Sequence, residues 1–233
     1  KLLEEIAQFH KIEKLKLVRR VLGTEAMRTD ARGDSTGVDL VGAAPWGVIG
    51  MVTPATHSIP TLASNAINVI AAGNSAVFSP HPAASRCFAH ALKGFNREIA
   101  RETGIQNLLG MVQGPTIASA EELFNHKGIS LICVTGGPMV VKAAMKSGKR
   151  VIAAGPGNPP VVVDATADMD QAARDIISGA SFDNNLLCIG EKEVFVVQEA
   201  FEAFRAAMKK AGAVELVPAE TAKLAAAALT VDP

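Results

Sequence analysis

From Gly47 onward the sequence alternates short apolar runs with longer segments of helical periodicity, and this alternation constrains the fold more than any other feature. Val48–Val52, Ser75–Phe78, Leu108–Val112, Ile129–Val134 and Val151–Ala154 are short and largely apolar, which predicts strands. Between them, Pro60–Ala72 (stopped by Gly73), Ala83–Glu102, Ile117–Asn125 and Met139–Lys146 are predicted helices. The pattern continues with strands at Val161–Val163 and Val194–Val197 and helices at Asp168–Ser181 and Ala200–Lys210. Strands separated by helices are joined by crossovers, so they lie parallel, and the helices cover both faces of the sheet. The expected class is α/β, a parallel sheet with helices on both faces.

No charged residue occurs between Asp39 and Arg86. Pro45, Pro54, Pro60, Asn65, Asn68 and Asn74 interrupt that stretch, which suits buried strands and helices of a core and not a membrane span. Apolar residues make up 48% of the chain and charged residues 20%, as a packed core requires. Lys plus Arg (23) equals Asp plus Glu (23), so no charge excess points to nucleic acid or an anionic membrane. Any phosphate-bearing ligand must therefore be held by local donors. Leu2–Val21 is predicted to be an amphipathic helix without the apolar region of a secretory signal. Thr29–Gly37 is predicted to be a polar linker, and the tail from Val214 is Ala-rich with no clear stop.

A parallel sheet binds its ligands at the carboxyl ends of its strands. The loops to watch are thus Thr53–Ser58, Ser79–Pro82, Gln113–Thr116 and Thr135–Pro138. Thr135-Gly136-Gly137-Pro138 opens a helix after an apolar strand. It reads either as a cradle for a pyrophosphate at a helix N-terminus or as a plain tight turn. Gly155–Pro160 is a rigid loop that either turns the chain at a domain crossing or simply connects two strands. The three cysteines, Cys87, Cys133 and Cys188, match no zinc spacing, and their wide separation suits a reducing compartment. Cys87 and Cys133 read as core. On its own chemistry Cys188 is either a small buried hydrophobe or a nucleophile. The histidines form no metal-ligand cluster; His57 and His81 lie in the candidate loops.

Several segments together resemble the aldehyde dehydrogenase superfamily. They are Pro45–Pro54, Ile70–Pro80, Val134–Gly137, Ala167–Asp170 and Phe182–Cys188. Ser79–Pro82, Ala154–Asp164 and Ser181–Cys188 are most similar to the CoA-acylating branch, as found in the propionaldehyde and acetaldehyde dehydrogenases of bacterial microcompartments. The resemblance implies a Rossmann-like NAD-binding domain over residues 1–155, with an N-terminal helix over 1–27. It also implies the beginning of a second α/β catalytic domain over 156–233, since the family's chains are roughly twice this domain-sized length.

The chemistry implied by the resemblance is oxidation of a short-chain aldehyde to acyl-CoA with NAD. The Cys188 thiolate attacks the aldehyde, a thioester forms on its sulfur, and coenzyme A takes the acyl group. Cys188 and Thr56 are the catalytic residues, the Thr56 hydroxyl and the Cys188 N–H stabilising the oxyanion. Thr53, Pro54, Ala55, Ser79, His81, Pro82, Gly114, Thr135, Gly136 and Gly137 are the cofactor-binding residues, and no metal is expected. The hydrolytic relatives place Asn where Thr56 stands, a general-base Glu where Ala154 stands, and a Lys and a Glu at Ser79 and Pro82. The missing base agrees with acyl transfer to CoA. The alternatives are a hydrolytic enzyme and a dinucleotide-binding fragment without turnover. The resemblance further implies a homo-oligomer in the cytoplasm, with association with a microcompartment shell or lumen as an option.

Overall fold

The computed structural model describes residues 29–228. The amphipathic helix expected over Leu2–Val21 lies outside the described residues. The chain divides into two compact units, Lys1–Gly157 and Asn158–Pro233.

In the first unit, β1 (Asp30–Asp34) and β2 (Gly37–Val41) form an antiparallel hairpin. This corrects the linker expected over Thr29–Gly37. The hairpin is exposed along its length, and β1, Asp-Ala-Arg-Gly-Asp, carries no apolar alternation, so its polar, Gly-containing composition reads as a linker. Its turn is set by a side chain: the Asp34 carboxylate accepts from Thr36 N at 2.7 Å and Gly37 N at 3.2 Å. Those bonds hold the Asp34 pKa below its ordinary value, the Thr36 hydroxyl contributing most.

The body of this unit is a five-stranded sheet of β3 (Val48–Thr53), β4 (Ser75–Pro80), β5 (Leu109–Met111), β6 (Leu131–Thr135) and β7 (Arg150–Ala154). Its spatial order is β5-β4-β3-β6-β7, and every pair is parallel. Crossover helices α1 (Ser58–Ala71), α2 (Ser85–Thr103), α3 (Ile117–Asn125) and α4 (Pro138–Met145) join successive strands. Alternate side chains divide the core in two, as the pleat dictates. Ile49, Met51, Phe78 and Leu131 pack with Leu62, Val69, Phe88 and Leu92 of α1 and α2. Ile132 and Val134 pack with Leu123 and Phe124 of α3 and Ala144 of α4. Gly50 lets α3 approach β3 closely, since a Cβ there would sit 3.0 Å from Ile129 Cγ2 and 3.3 Å from Leu123 Cγ.

Cys133 lies partly buried against the first of these cores, and burial raises its thiol pKa. Cys87, expected in the core, is exposed. Helix α2 buries Phe88 and Leu92, one turn apart, and Cys87 sits about 100° around the axis from Phe88.

The second unit holds β8 (Pro160–Val163), α5 (Met169–Ser181), β9 (Glu193–Val196), α6 (Phe201–Lys210) and α7 (Pro218–Ala228). β8 and β9 pair in parallel, with α5 as the crossover. Val163, Ile176 and Phe204 form its core. Asp168 caps α5 by accepting from Gln171 N at 2.9 Å. The Ala-rich tail, read as lacking a clear stop, forms α7. Proline suits the first turn of a helix and alanine its interior, and Glu220 accepts from Val217 N at 3.0 Å.

Candidate functional site

The strand order has a reversal at β3: the chain runs outward through β4 and β5, then returns to β6 on the other side. The loops leaving β3 and β6 consequently part toward opposite faces and leave a crevice at the carboxyl edge. A cavity of about 290 Å³ occupies that place. Thr53, Pro54, Ser79, His81, Pro82, Thr135, Gly136 and Gly137, predicted from sequence, line it together. Pro115 and Thr116 line it too; they belong to the Gln113–Thr116 loop expected at the site, though they were not named among the cofactor-binding residues. Ala55, Thr56 and Gly114 are not in the wall. Ala55 and Thr56 are exposed in the bend that enters α1, and Gly114 occupies an exposed left-handed turn at φ 58°.

The cavity wall contains no Asp or Glu, so nothing in it repels an anion. Thr53 is 1% exposed and its hydroxyl has no hydrogen-bond partner. A buried hydroxyl left unpaired costs about 1–3 kcal/mol, which a ligand group in the cavity would relieve. Ser79 is buried beside it. His81 is fixed at both ends: its N–H donates to Thr53 O at 3.0 Å, and its Nδ1 accepts from Ala83 N at 3.2 Å.

Helix α4 begins at the cavity with Gly137 as its N-cap and Pro138 in its first turn, and no side chain caps it. The first N–H groups of a helix have no intrahelical partner, and the helix dipole adds positive potential there. The two glycines of this turn differ. A Cβ on Gly136 would lie 2.7 Å from Val140 Cγ1, whereas one on Gly137 would meet nothing within 4 Å. The fold requires Gly136; at Gly137 only a ligand would demand glycine. These features fit a pyrophosphate-bearing dinucleotide.

A second cavity of about 510 Å³ lies between α3 and α4, lined by Ile117, Phe124, Met139 and Ala143 among others. It shares Ile117, Ala120, Gly137 and Val140 with the first, so the two are continuous. Ile117 and Met139 are each 80% exposed. Sequence periodicity assigns such residues to a helix but does not say that they stay uncovered. Thr116 starts α3 with a reciprocal cap: its hydroxyl accepts from Ser119 N at 3.1 Å, and Ser119 Oγ accepts from Thr116 N at 2.8 Å.

In the second unit, Cys188 is exposed in a turn between α5 and β9. Asp183, Asn184 and Asn185 precede it with left-handed backbones, φ 51°, 54° and 58°. Such conformations cost non-glycine residues energy and persist only where surrounding contacts hold them. Asn185 supplies some of these contacts, its amide donating to Ala180 O at 2.7 Å and Glu191 O at 3.0 Å. Lys192 supplies others, its ammonium donating to Leu187 O at 2.9 Å, Gly190 O at 3.2 Å and the Asn185 side-chain oxygen. Leu187 is buried, so the chain dips inward immediately before Cys188 and returns to the surface with it. Lys192 went unnoticed in the sequence; its place four residues after the cysteine was the available signal. Among the described residues no group of His, Cys, Asp or Glu is arranged to hold a metal, and no helix is long and apolar enough to cross a membrane.

The aldehyde dehydrogenase family model matches residues 7–221. An acetylating acetaldehyde dehydrogenase of Bilophila wadsworthia is 49% identical over 84% of this chain and 41% of its own length. A CoA-propanoylating propanal dehydrogenase of Salmonella typhimurium is 44% identical over 89% of this chain and 45% of its own. Among solved structures, a propionaldehyde dehydrogenase from the fucose utilisation microcompartment of Clostridium phytofermentans superposes with a TM-score of 0.88 at 42% identity, covering 95% of this chain and 52% of that one. A Rhodopseudomonas palustris propionaldehyde dehydrogenase, with bound CoA and an acylated cysteine, gives 0.86 at 37% identity over 98% of this chain and 55% of its own. The chain spans about half the length of the relatives it matches. With an order-reversing parallel sheet and a match along most of its length, this chain belongs to the aldehyde dehydrogenase family.

Proposed function

We propose that this chain supplies the cofactor cleft and the nucleophile of an enzyme that oxidises a short-chain aldehyde to acyl-CoA with NAD. The observation that carries the reading is Cys188, exposed on a turn whose backbone is held by its neighbours. The relatives named above as acetylating or CoA-propanoylating support the choice of reaction.

In this reading the Cys188 thiolate adds to the aldehyde carbon, forming a C–S bond and an oxyanion. The Cys188 N–H donates to that oxyanion. NAD, when bound, would supply the hydride acceptor that lets the carbonyl reform on Cys188. The product is a thioester on Cys188. The CoA thiolate then attacks the thioester carbonyl, its C–S bond forms and the bond to Cys188 breaks. Thr53, Pro54, Ser79, His81, Pro82, Thr135, Gly136 and Gly137 hold the cofactor, with its pyrophosphate at the N-terminus of α4. Ala55 and Gly114 shape the loops beside them. The apolar groove between α3 and α4 suits a planar base carried by either NAD or CoA. NAD is taken over NADP on the family resemblance alone.

Residues 1–155 are assigned to cofactor binding and 156–233 to the first part of the catalytic domain. A relative from a microcompartment supports association with such a compartment, and a cytoplasmic homo-oligomer is proposed with it. Hydrolysis to the free acid is disfavoured by Ala154 at the end of β7, which offers no base to activate water.

Product analysis by mass spectrometry tests the reading in a protein that carries this chain at full family length. NADH formation is expected to depend on CoA beyond the first turnover, with acyl-CoA as the main product. Sustained free-acid production without CoA would overturn it.

A further inference from the structure

We infer that Lys192 is a positioning residue that aims the backbone N–H of Cys188 at the oxyanion. The inference rests on the proposed role of Cys188 and extends it to a residue outside the cleft and the nucleophile itself. The Lys192 ammonium donates to Leu187 O at 2.9 Å and to Gly190 O at 3.2 Å, so it grips the carbonyls on either side of Cys188. Leu187 C=O and Cys188 N–H belong to one planar trans peptide, in which carbonyl and N–H point in opposite directions. Fixing that carbonyl on the ammonium therefore turns the Cys188 N–H away from Lys192. An oxyanion donor must be aimed before charge develops, and this contact sets its aim.

The ammonium is itself anchored. Lys192 N donates to Pro159 O at 3.3 Å, and the next residue, Glu193, pairs with Pro160 in the β8–β9 ladder. Its third bond, to the Asn185 side chain, reaches the last of the left-handed residues that enter the turn. Lys192 thus links the start of the β8–β9 ladder to the left-handed turn before Cys188. An apolar side chain of similar length, as in Lys192→Met, loses all three bonds and leaves Leu187 O only the longer 3.3 Å bond from Gly190 N.

The test compares Lys192→Met, Lys192→Gln and Lys192→Arg in a protein that carries this chain at full family length. Removal of an oxyanion donor costs roughly 10²–10³-fold in kcat, and misaiming one is expected to cost roughly 10- to 100-fold. Lys192→Met should therefore lower kcat by that amount with KM for the aldehyde little changed, and Lys192→Arg should restore most of the loss. Alkylation of Cys188 by iodoacetamide passes through no oxyanion, so its rate relative to exposed Cys87 should stay within roughly threefold of wild type. If Lys192→Met does not fold, Lys192→Gln, which keeps a donor without the charge, carries the same comparison. A wild-type kcat in the Met or Gln variant would overturn the inference. So would an equal fall in turnover and in Cys188 alkylation, because the lysine would then be holding the thiol and not the N–H. Failure of the underlying reading shows elsewhere: wild-type protein would carry no acyl group on Cys188 during turnover.

Discussion

The cleft of the first unit and the cysteine turn of the second are built in opposite ways. The cleft is assembled by topology. Thr53 and Ser79 at the ends of β3 and β4, with Pro115 and Gly137 from the segments after β5 and β6, are brought together because the strand order reverses at β3. Apart from the turn at Gly114 its backbone is ordinary, and its precision comes from two packed cores beneath it. The cysteine turn is assembled locally, from Ala180 to Lys192, with left-handed residues held by side-chain hydrogen bonds. A site built by topology tolerates change in any one loop as long as the core stands. A site built by local strain depends on a few bonds, and single substitutions should reach it directly.

The largest expected effect is at Cys188. In a protein of full family length, Cys188→Ala should abolish acyl-CoA formation while calorimetry still records NAD binding, because the two regions divide chemistry from binding. Cys87→Ala should retain turnover. An active Cys188→Ala variant would remove the nucleophile from this turn.

The core beneath the cleft comes next. Phe78 is fully buried at the end of β4, its ring centroid 5.3 Å from that of Phe88. Phe78→Ala should cost about 3–5 kcal/mol of stability, read from denaturant midpoints. A loss under about 1 kcal/mol would mean that the cleft does not rest on this packing.

The two glycines of the α4 turn sharpen the comparison further. Gly137→Val should fold as wild type and weaken NAD binding by roughly tenfold, about 1.4 kcal/mol. Gly136→Val should lower the melting temperature, because its side chain meets Val140. Unchanged affinity in folded Gly137→Val would exclude this turn from the cofactor site.

The smallest effect is electrostatic and lies away from both sites. Arg205 and Lys209 of α6 hydrogen-bond Glu215 and hold its pKa down to about 2, against an ordinary 4.5. A carboxylate depressed by folding contributes stability above its unfolded pKa and loses it as pH falls toward the folded one. The α6–Glu215 contact should therefore weaken only between about pH 4.5 and 2, with a modest effect because all three groups are solvated. NMR titration of Glu215 checks this, and a midpoint near the ordinary value would show that the contact does not persist in solution.

The sequence by itself determined the alternation of strands and helices, because apolar periodicity follows from which faces must be buried, and the parallel sheet followed from the crossovers. Helix α3 was legible to the residue, since Thr116 and Asn125 bound its periodicity. The hairpin at Asp30–Val41 was missed, because its first strand, Asp-Ala-Arg-Gly-Asp, has no apolar alternation and the short Val38–Leu40 alternation of its second strand stood without a visible partner. The exposure of Cys87 was misread, since the phase of α2 is set by which side chains its neighbours bury. The loops of the cleft could be named from strand ends, Gln113–Thr116 among them, yet the groove between α3 and α4 could not. It depends on where two helices leave a gap, a property of packing and not of either helix. The motif around Cys188 was visible as a string of residues. Its left-handed backbone and the hold of Lys192 were decided only in three dimensions, because a lysine declares its acceptors only when the chain has folded back to present them.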